Sequence, residues 1–468
     1  MTYNTTTNGA LQHESTGNKC LDLFSVIGNL RNCSRKDILE RFEEAFVEDS
    51  ELATKVAYWA RSAREGSGER NTFYVILDEI AKCSPYFISD NSLTLAELGY
   101  WKDLLRYFHI PKVVSTFAHH IKNKDRLACK WAPRKGKNAH KLRDELGFTN
   151  KEYRKWIGEH SDTVEDKMSS KLFSSVNYSS VPGGAMRKYK DAFMKRDLAR
   201  FDDWKNDKTT KASVSATYPH QVLEVAKGDD ALADKMWNSL EDFVVEGENI
   251  LPMIDVSGSM FGIALEVAVA LGMYLAERNK SEFKDTFLTF SETPEFVRLE
   301  GNTVGERMAR IASANWGMNT DFTKAYDLIL QSAITYDVDK SSMPTMLLVL
   351  SDMQFDDSQN THTWSDVEDI PKVNFDDIKF KFFQSGYDMP KLVFWNLDGH
   401  SGNQSVSDED GVCMVSGYSP SIMKAILSCE DFNPMNVMME ALEPIELDFT
   451  NLQDELDIDY QQEKINVN

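Results

Sequence analysis

Near residue 245 the hydrophobic pattern of the chain changes period, and that change constrains the fold more than any single motif. Before it, apolar residues recur every three or four positions. In "SRKDILERFEEAFVED", Ile38, Leu39, Phe42, Ala45 and Phe46 form one stripe behind Ser34 as N-cap, with Asp37 at the third helical position, where it suits the helix dipole. "ELATKVAYWARSA" repeats the pattern with Leu52, Val56, Trp59 and Ala60, and "NTFYVILDEIAK" with Phe73, Ile76, Leu77 and Ile80. "LTLAELGYWKDLLRYF" and "PKVVSTFAHHIKN" follow after short connections. Successive amphipathic helices without a strand predict an α-helical repeat, a solenoid of helical hairpins. After residue 245, continuous apolar runs of strand length ("NILPMIDV", "TMLLVLSD", "KLVFWNLDG", "GVCMVSG") alternate with helical segments, and "DTFLTFS" and "PEFVRLE" read as a pair of strands. Such alternation predicts a doubly wound α/β domain whose mostly parallel sheet is covered on both faces. Ligands of these folds sit at the carboxyl ends of the strands.

The expected organisation is a flexible leader at 1–18, a helical domain at 19–245, an α/β domain at 246–445, and an acidic tail at 446–468 that is mobile or docks. The 468 residues exceed the size at which one core keeps growing, which also predicts two domains. The net charge of −22 is unevenly spread. Residues 1–250 carry 38 Lys+Arg against 37 Asp+Glu, whereas residues 251–468 carry 14 against 37. Within the first half, residues 101–200 hold 23 basic against 11 acidic side chains, as expected where two domains face different partners. Neither a secretory signal nor an apolar run of membrane-spanning length is found, so a cytoplasmic protein is expected. The six cysteines are scattered without C-x-x-C spacing and read as reduced structural thiols.

Asp255, Ser257 and Ser259 follow the first strand of the second half. Alone, D-x-S-x-S is an ordinary turn pattern. Two further loops at the same edge of the expected sheet add oxygens, however: Thr320 in "NWGMNTDFTKAY" and Asp352 at the end of "MLLVLSD". No His or Cys joins them, and an all-oxygen set with few carboxylates suits a hard cation such as Mg²⁺. Asp356 and Asp357 lie nearby and read as a solvated acidic loop. "MIDVSGSM", "NTDF" and "LVLSD", in that order and spacing, resemble the metal-ion-dependent adhesion site (MIDAS) of von Willebrand factor A domains, which are Rossmann-like. The resemblance implies that Asp255, Ser257, Ser259, Thr320 and Asp352 surround Mg²⁺, or another divalent cation such as Mn²⁺ or Ca²⁺. It also implies an open coordination position for the carboxylate of a protein partner. No Ser-His pairing or second metal cluster suggests catalysis, so no enzyme is expected.

The most basic stretch, "KNKDRLACKWAPRKGKNAHKLRDELGFTNKEYRKWI", carries Lys122, Lys124, Arg126, Lys130, Arg134, Lys135, Lys137, His140, Lys141, Arg143, Arg154 and Lys155. Trp131, Tyr153 and Trp156 are interleaved, and a second cluster holds Arg187, Lys188, Lys190, Lys195, Arg196 and Arg200. Cations beside aromatic rings suit single-stranded or looped RNA; solvated helix faces with inward rings give the same pattern. "REGSGERNTF", "ELGYWKDLL", the basic stretch and "VPGGAMRKY" resemble the landmarks of the TROVE (Ro-autoantigen-related) family, whose helical repeats are HEAT-like and precede a von Willebrand A domain. That resemblance implies a ribonucleoprotein: a ring or crescent of helical repeats, closed by the A domain, holding small non-coding or misfolded RNA. An adaptor that binds protein through Mg²⁺ without nucleic acid, and a regulator that binds single-stranded DNA, use the same features.

Three smaller features have plainer readings. "REGSGER" is either an interhelical turn or a phosphate nest. His119 and His120, adjacent on a helix, point to different faces and so do not share a metal. In "YWKDLL", Trp101 and Leu105 are expected in the core with Lys102 outside.

Overall fold

The computed structural model describes residues 3–5, 11–13, 15–244, 247–291, 293–312, 322–352, 375–397, 412–429, 432–453 and 456. It divides into two compact units, each discontinuous in sequence. One comprises Met1–Cys33 with Thr217–Ala441, the other Ser34–Ala216 with Leu442 onward. The N-terminal half is helical and the C-terminal half is built on an α/β sheet.

A short antiparallel hairpin, β1 (Tyr3–Thr5) with β2 (Leu11–His13), stands within the expected leader, whose Thr and Tyr residues favour extended backbone. The main sheet has six strands: β3 (Ile250–Ile254), β4 (Thr286–Thr289), β5 (Phe296–Arg298), β6 (Met346–Ser351), β7 (Lys391–Asn396) and β8 (Val412–Ser416). Their order is β5-β4-β3-β6-β7-β8, and every neighbouring pair is parallel except β4 with β5. From β3 the chain moves to one side for β4 and β5, then returns to the other side for β6, β7 and β8. The point of reversal lies between β3 and β6, where ligands of open α/β sheets bind. Every residue of β3, β6 and β8 is buried, as the continuous apolar runs require.

Helices Pro219–Ala226 and Asp230–Trp237, expected in the helical domain, belong to the sheet unit. Trp237 Nε1 donates to Glu277 Oε2 at 2.7 Å, and Arg307 pairs with Glu277 Oε1 at 2.7 Å. These contacts join Asp230–Trp237, Ile263–Arg278 and Val304–Ala312. The segment Lys19–Asn32 also belongs to this unit. The Gly28 N–H donates to Ser416 Oγ at 3.0 Å, and Asn29 Nδ2 donates to the Asn396 carbonyl at 2.9 Å. A Cβ on Gly28 would lie 2.3 Å from the Ser416 carbonyl oxygen, so only glycine permits this approach. The Arg31 guanidinium lies 3.4 Å from the Tyr418 ring centroid and fixes the end of the segment. The edge strand β8 is thereby covered.

In the helical unit, Ser34 and Asp37 form a capping box at the start of Arg35–Glu48, and all five stripe residues of that helix are buried. Around "ELGYWKDLL" the backbone departs from a continuous helix. Ser92–Leu98 ends at Gly99, and Asp103–Tyr107 is a 3₁₀ turn. The tighter pitch puts Leu104 in the core with Trp101 and leaves Leu105 half-buried, in place of the expected Trp101 and Leu105 pair.

Asp103 is buried with Arg61, which donates to Asp103 Oδ2 from Nε at 3.0 Å and from Nη2 at 2.6 Å. The Tyr74 hydroxyl and the Tyr100 N–H also donate to this carboxylate. In "REGSGER" the Gly68 N–H bonds Ser62 O at 3.0 Å and the Glu69 N–H bonds Ala60 O at 2.6 Å. These N–H groups are engaged within the chain, so the segment is an interhelical turn.

The first residues of the acidic tail dock on this unit. Asn91 exchanges hydrogen bonds with the Asp448 backbone at 2.7 and 2.8 Å, Phe449 stacks on Phe87, and the Gln453 N–H donates to Ser84 Oγ at 2.9 Å. Among the described residues no helix is long and apolar enough to cross a membrane. All six cysteines are free thiols; burial pushes the Cys129 thiol up to about 11, which keeps it protonated and inert.

Two stability measurements follow from this packing. Gly28→Ala should cost about 1–3 kcal/mol by forcing the segment off β8, read as a lower melting temperature and faster proteolysis between residues 15 and 33. Arg61→Met should cost about 3–5 kcal/mol in urea denaturation, because it strands a buried carboxylate; adding Asp103→Leu should restore much of the loss.

Candidate metal centre and nucleic-acid interface

Asp255 and Asp352 follow the adjacent parallel strands β3 and β6, and both are buried. The Asp255 N–H continues the ladder by donating to Leu350 O at 2.9 Å. Its Oδ1 accepts from the Ser257 N–H at 2.8 Å, and its Oδ2 accepts from Ser351 Oγ at 2.6 Å. The first of these bonds is an Asx turn, which lifts the chain away from the sheet. Ser257 Oγ and Ser259 Oγ then lie 3.0 Å apart, with Ser259 exposed. Burial pushes the Asp255 carboxyl above its ordinary 3.8; hydrogen bonds from Ser351 and Ser257 oppose the shift, and the charge of Asp352 adds to it.

Two carboxylates with little water and two hydroxyls toward solvent make a donor set for a hard cation, one whose charge would relieve both acids. Among the described residues no group of three or more His, Cys, Asp or Glu is placed to hold a metal. Thr320, Asp356 and Asp357 lie outside the described residues. Phe261, 91% exposed, and Ile263, 52% exposed, follow the serine loop. Behind the loop a cavity of about 440 Å³ is lined by Val256, Leu223, Leu265, Val269, Met308 and Ile311.

The basic residues of the helical unit fall into two groups. Some are engaged by the fold: Arg126 Nε donates to Ser161 O at 3.3 Å, Lys141 Nζ to Phe108 O at 2.8 Å, and Arg143 contacts His140, Asp144 and Asn150. Lys155 pairs with Glu159 at 3.8 Å, and Lys124 Nζ lies 6.0 Å from the Trp156 ring centroid. Arg187 and Lys190 are half-buried on Gly183–Arg196, while Lys188 is exposed there. By contrast, Lys122, Arg134, Lys135, Lys137 and Arg154 are exposed and make no ion pair with any described residue. Arg134, Lys135 and Lys137 cluster at the start of helix Gly136–Leu146.

The interleaved rings are less available than their spacing suggests. Tyr153 is buried with its hydroxyl on Pro133 O, and Trp156 Nε1 donates to Ile121 O. Both pack helices together, because an amphipathic ring at a helix interface serves the core with its body and the backbone with its polar tip. Trp131 is half-buried, and its ring centroid lies 5.7 Å from that of Tyr100. Tyr100 and Arg70, whose guanidinium lies 5.0 Å from the Tyr100 ring centroid, stand outside the basic stretch and have no local pattern that marks them. His119 and His120 turn to Asn123 and Asp125 respectively, and share no ligand geometry.

Known proteins supply a family but not a chemistry. A model described as a domain of unknown function, DUF7788, matches residues 249–464. An uncharacterized protein of Acanthamoeba polyphaga mimivirus is 27% identical, the match covering 94% of this chain and 87% of the relative. Among solved structures, the crystal structure of the Deinococcus radiodurans Ro (RSR) protein aligns over 91% of this chain and 93% of its own, at a TM-score of 0.33 and 14% identity. The model described as a domain of unknown function, DUF2828, matches residues 6–111 and 109–248, more than half of the chain, and the protein belongs to that family.

Proposed function

We propose that this is a non-catalytic RNA-binding protein whose helical unit, read as a TROVE-related HEAT-like repeat, holds the RNA. The sheet unit is read as a von Willebrand A-like domain that binds Mg²⁺ through Asp255, Ser257, Ser259, Thr320 and Asp352. The observation that carries the RNA reading is the set of exposed basic residues without ion pairs to described residues, Lys122, Arg134, Lys135, Lys137 and Arg154. Exposed basic side chains outside ion pairs keep their charge available to a polyanion, and each phosphate they neutralise releases a counterion. The acidic half of the chain repels the same polyanion, which confines it to the helical unit. Small non-coding RNA or single-stranded ends suit this surface; single-stranded DNA lacks the 2′-hydroxyl and is the competitor to measure against.

Reversing Lys130, Arg134, Lys135 and Lys137 to Glu should weaken RNA binding at least about tenfold at physiological salt. The slope of log affinity against log salt should fall by about 0.7 for each lost phosphate contact. Fluorescence anisotropy across a salt series reads both, and unchanged affinity would sink the reading.

When bound, Mg²⁺ would supply positive charge between the two buried acids and an open position for a partner's carboxylate. A saturating concentration, about 100 times the dissociation constant, should stabilise the native chain by about 2.7 kcal/mol over chelator. Asp255→Asn should abolish that gain. The carboxyl of Asp255 is raised in the fold, so its ionised form weighs against stability at neutral pH, and the cost fades as pH falls through the raised value. In chelator at pH 7 the Asn variant should therefore melt no lower than the native chain.

A second reading, Mg²⁺-dependent capture of a protein partner by the sheet unit, is favoured by the exposed Phe261 and Ile263 beside the serine loop. Phe261→Ser would then abolish partner capture and leave RNA affinity intact.

A further inference from the structure

We infer that Tyr100 and Trp131, with Arg70 and Lys130 beside them, form a stacking site for unpaired nucleobases. The inference rests on the RNA-binding reading and specifies which part of the RNA this surface takes. The two rings come from positions 31 apart in the chain and meet at a centroid distance of 5.7 Å and an interplanar angle of 40°. Tyr100 is 36% exposed and Trp131 half-buried, so both present ring surface to solvent. The Arg70 guanidinium lies 5.0 Å from the Tyr100 centroid, and Lys130 Nζ lies 5.5 Å from the Trp131 centroid. A guanidinium beside an aromatic face offers two flat surfaces and a positive charge, which matches a base and its flanking phosphate.

The site is held rigid from behind. The Tyr100 N–H donates to Asp103 Oδ2 at 3.1 Å, and that carboxylate is fixed by buried Arg61 and by Tyr74. Arg61 also lies 4.8 Å from the Tyr100 centroid. A Cβ at position 99 would fall 2.3 Å from Asp103 Oδ2, so Gly99 is what lets the chain pass close enough for Tyr100 to be clamped. A ring immobilised in advance gives up little freedom when a base stacks on it. The same geometry disfavours a duplex, whose bases are already covered by their neighbours. Every base has a π-face, so the site discriminates strand state rather than sequence.

The test uses the full chain and three probes of about 12 nucleotides: single-stranded RNA, the same strand as DNA, and the RNA duplex. Tyr100→Ala and Trp131→Ala should each weaken single-strand binding roughly 5- to 150-fold while leaving the salt slope unchanged, because a stacking contact and not a phosphate contact is lost. Tyr100→Phe and Trp131→Phe keep a ring and should stay within about threefold of the native chain, which controls for the fold. Duplex RNA should bind the native chain more weakly than either single strand. Unchanged affinity in both alanine variants, or duplex bound as tightly as single strand, overturns the stacking site and leaves the basic-cluster reading standing. Failure of the native chain to bind any of the three overturns both.

Discussion

Two buried carboxylates, Asp255 and Asp352, stand at the ends of neighbouring parallel strands, and the layout of the sheet unit follows from keeping them there. Parallel strands point their carboxyl ends the same way, so acids that follow β3 and β6 lie at one edge of the sheet. The reversal of strand order between β3 and β6 keeps a crossover helix from covering that place. Hydrogen bonds from Ser351 and the Ser257 N–H accept part of the Asp255 charge, and the serine loop brings two hydroxyls to the open side. A cation bound between two such acids would be the largest local charge and would balance both.

The helical unit solves a different problem with the same kind of interaction. There the buried charge is balanced within the chain, by Arg61 against Asp103, and the balance fixes the backbone around Gly99 and Tyr100. Stability and exposure are divided between residues. Acids and bases in the interior satisfy each other, while Arg134, Lys135 and Lys137 are left to solvent.

The sheet half was readable because its strands are unbroken apolar runs bounded by turns, and each expected strand appears within one to three residues. The Ser34 capping box was equally readable, since its signal is local. Helix Val304–Ala312 has Val304, Met308 and Ile311 at i, i+4 and i+7, a legible apolar stripe that its nine residues make easy to pass over. Spacing placed Tyr153 and Trp156 beside cations, but periodicity alone does not tell an inward ring from an outward one. The approach of Tyr100 to Trp131 depends on a 3₁₀ turn and on tertiary packing, neither of which a window of sequence carries. The grouping of Lys19–Asn32 with β8 is likewise non-local. Of the expected metal set, Asp255 and Asp352 follow β3 and β6 and the hydroxyls of Ser257 and Ser259 lie 3.0 Å apart; Thr320 lies outside the described residues.

Each unit is completed by chain from the far side of the other. Lys19–Asn32 precedes the whole helical unit yet covers β8, and Asp448–Gln453 follows the whole sheet unit yet fastens onto the helix Pro85–Asp90. The two units are thus interlaced in time as well as in sequence. On the ribosome, the segment that covers β8 is synthesised almost 400 residues before β8 exists, and the helical unit lacks its last contacts until translation has passed residue 453. Neither unit is an independent cassette that recombination could move by a single cut near residue 245. A gene rearrangement that preserved one of them would have to carry both ends of the other's chain with it.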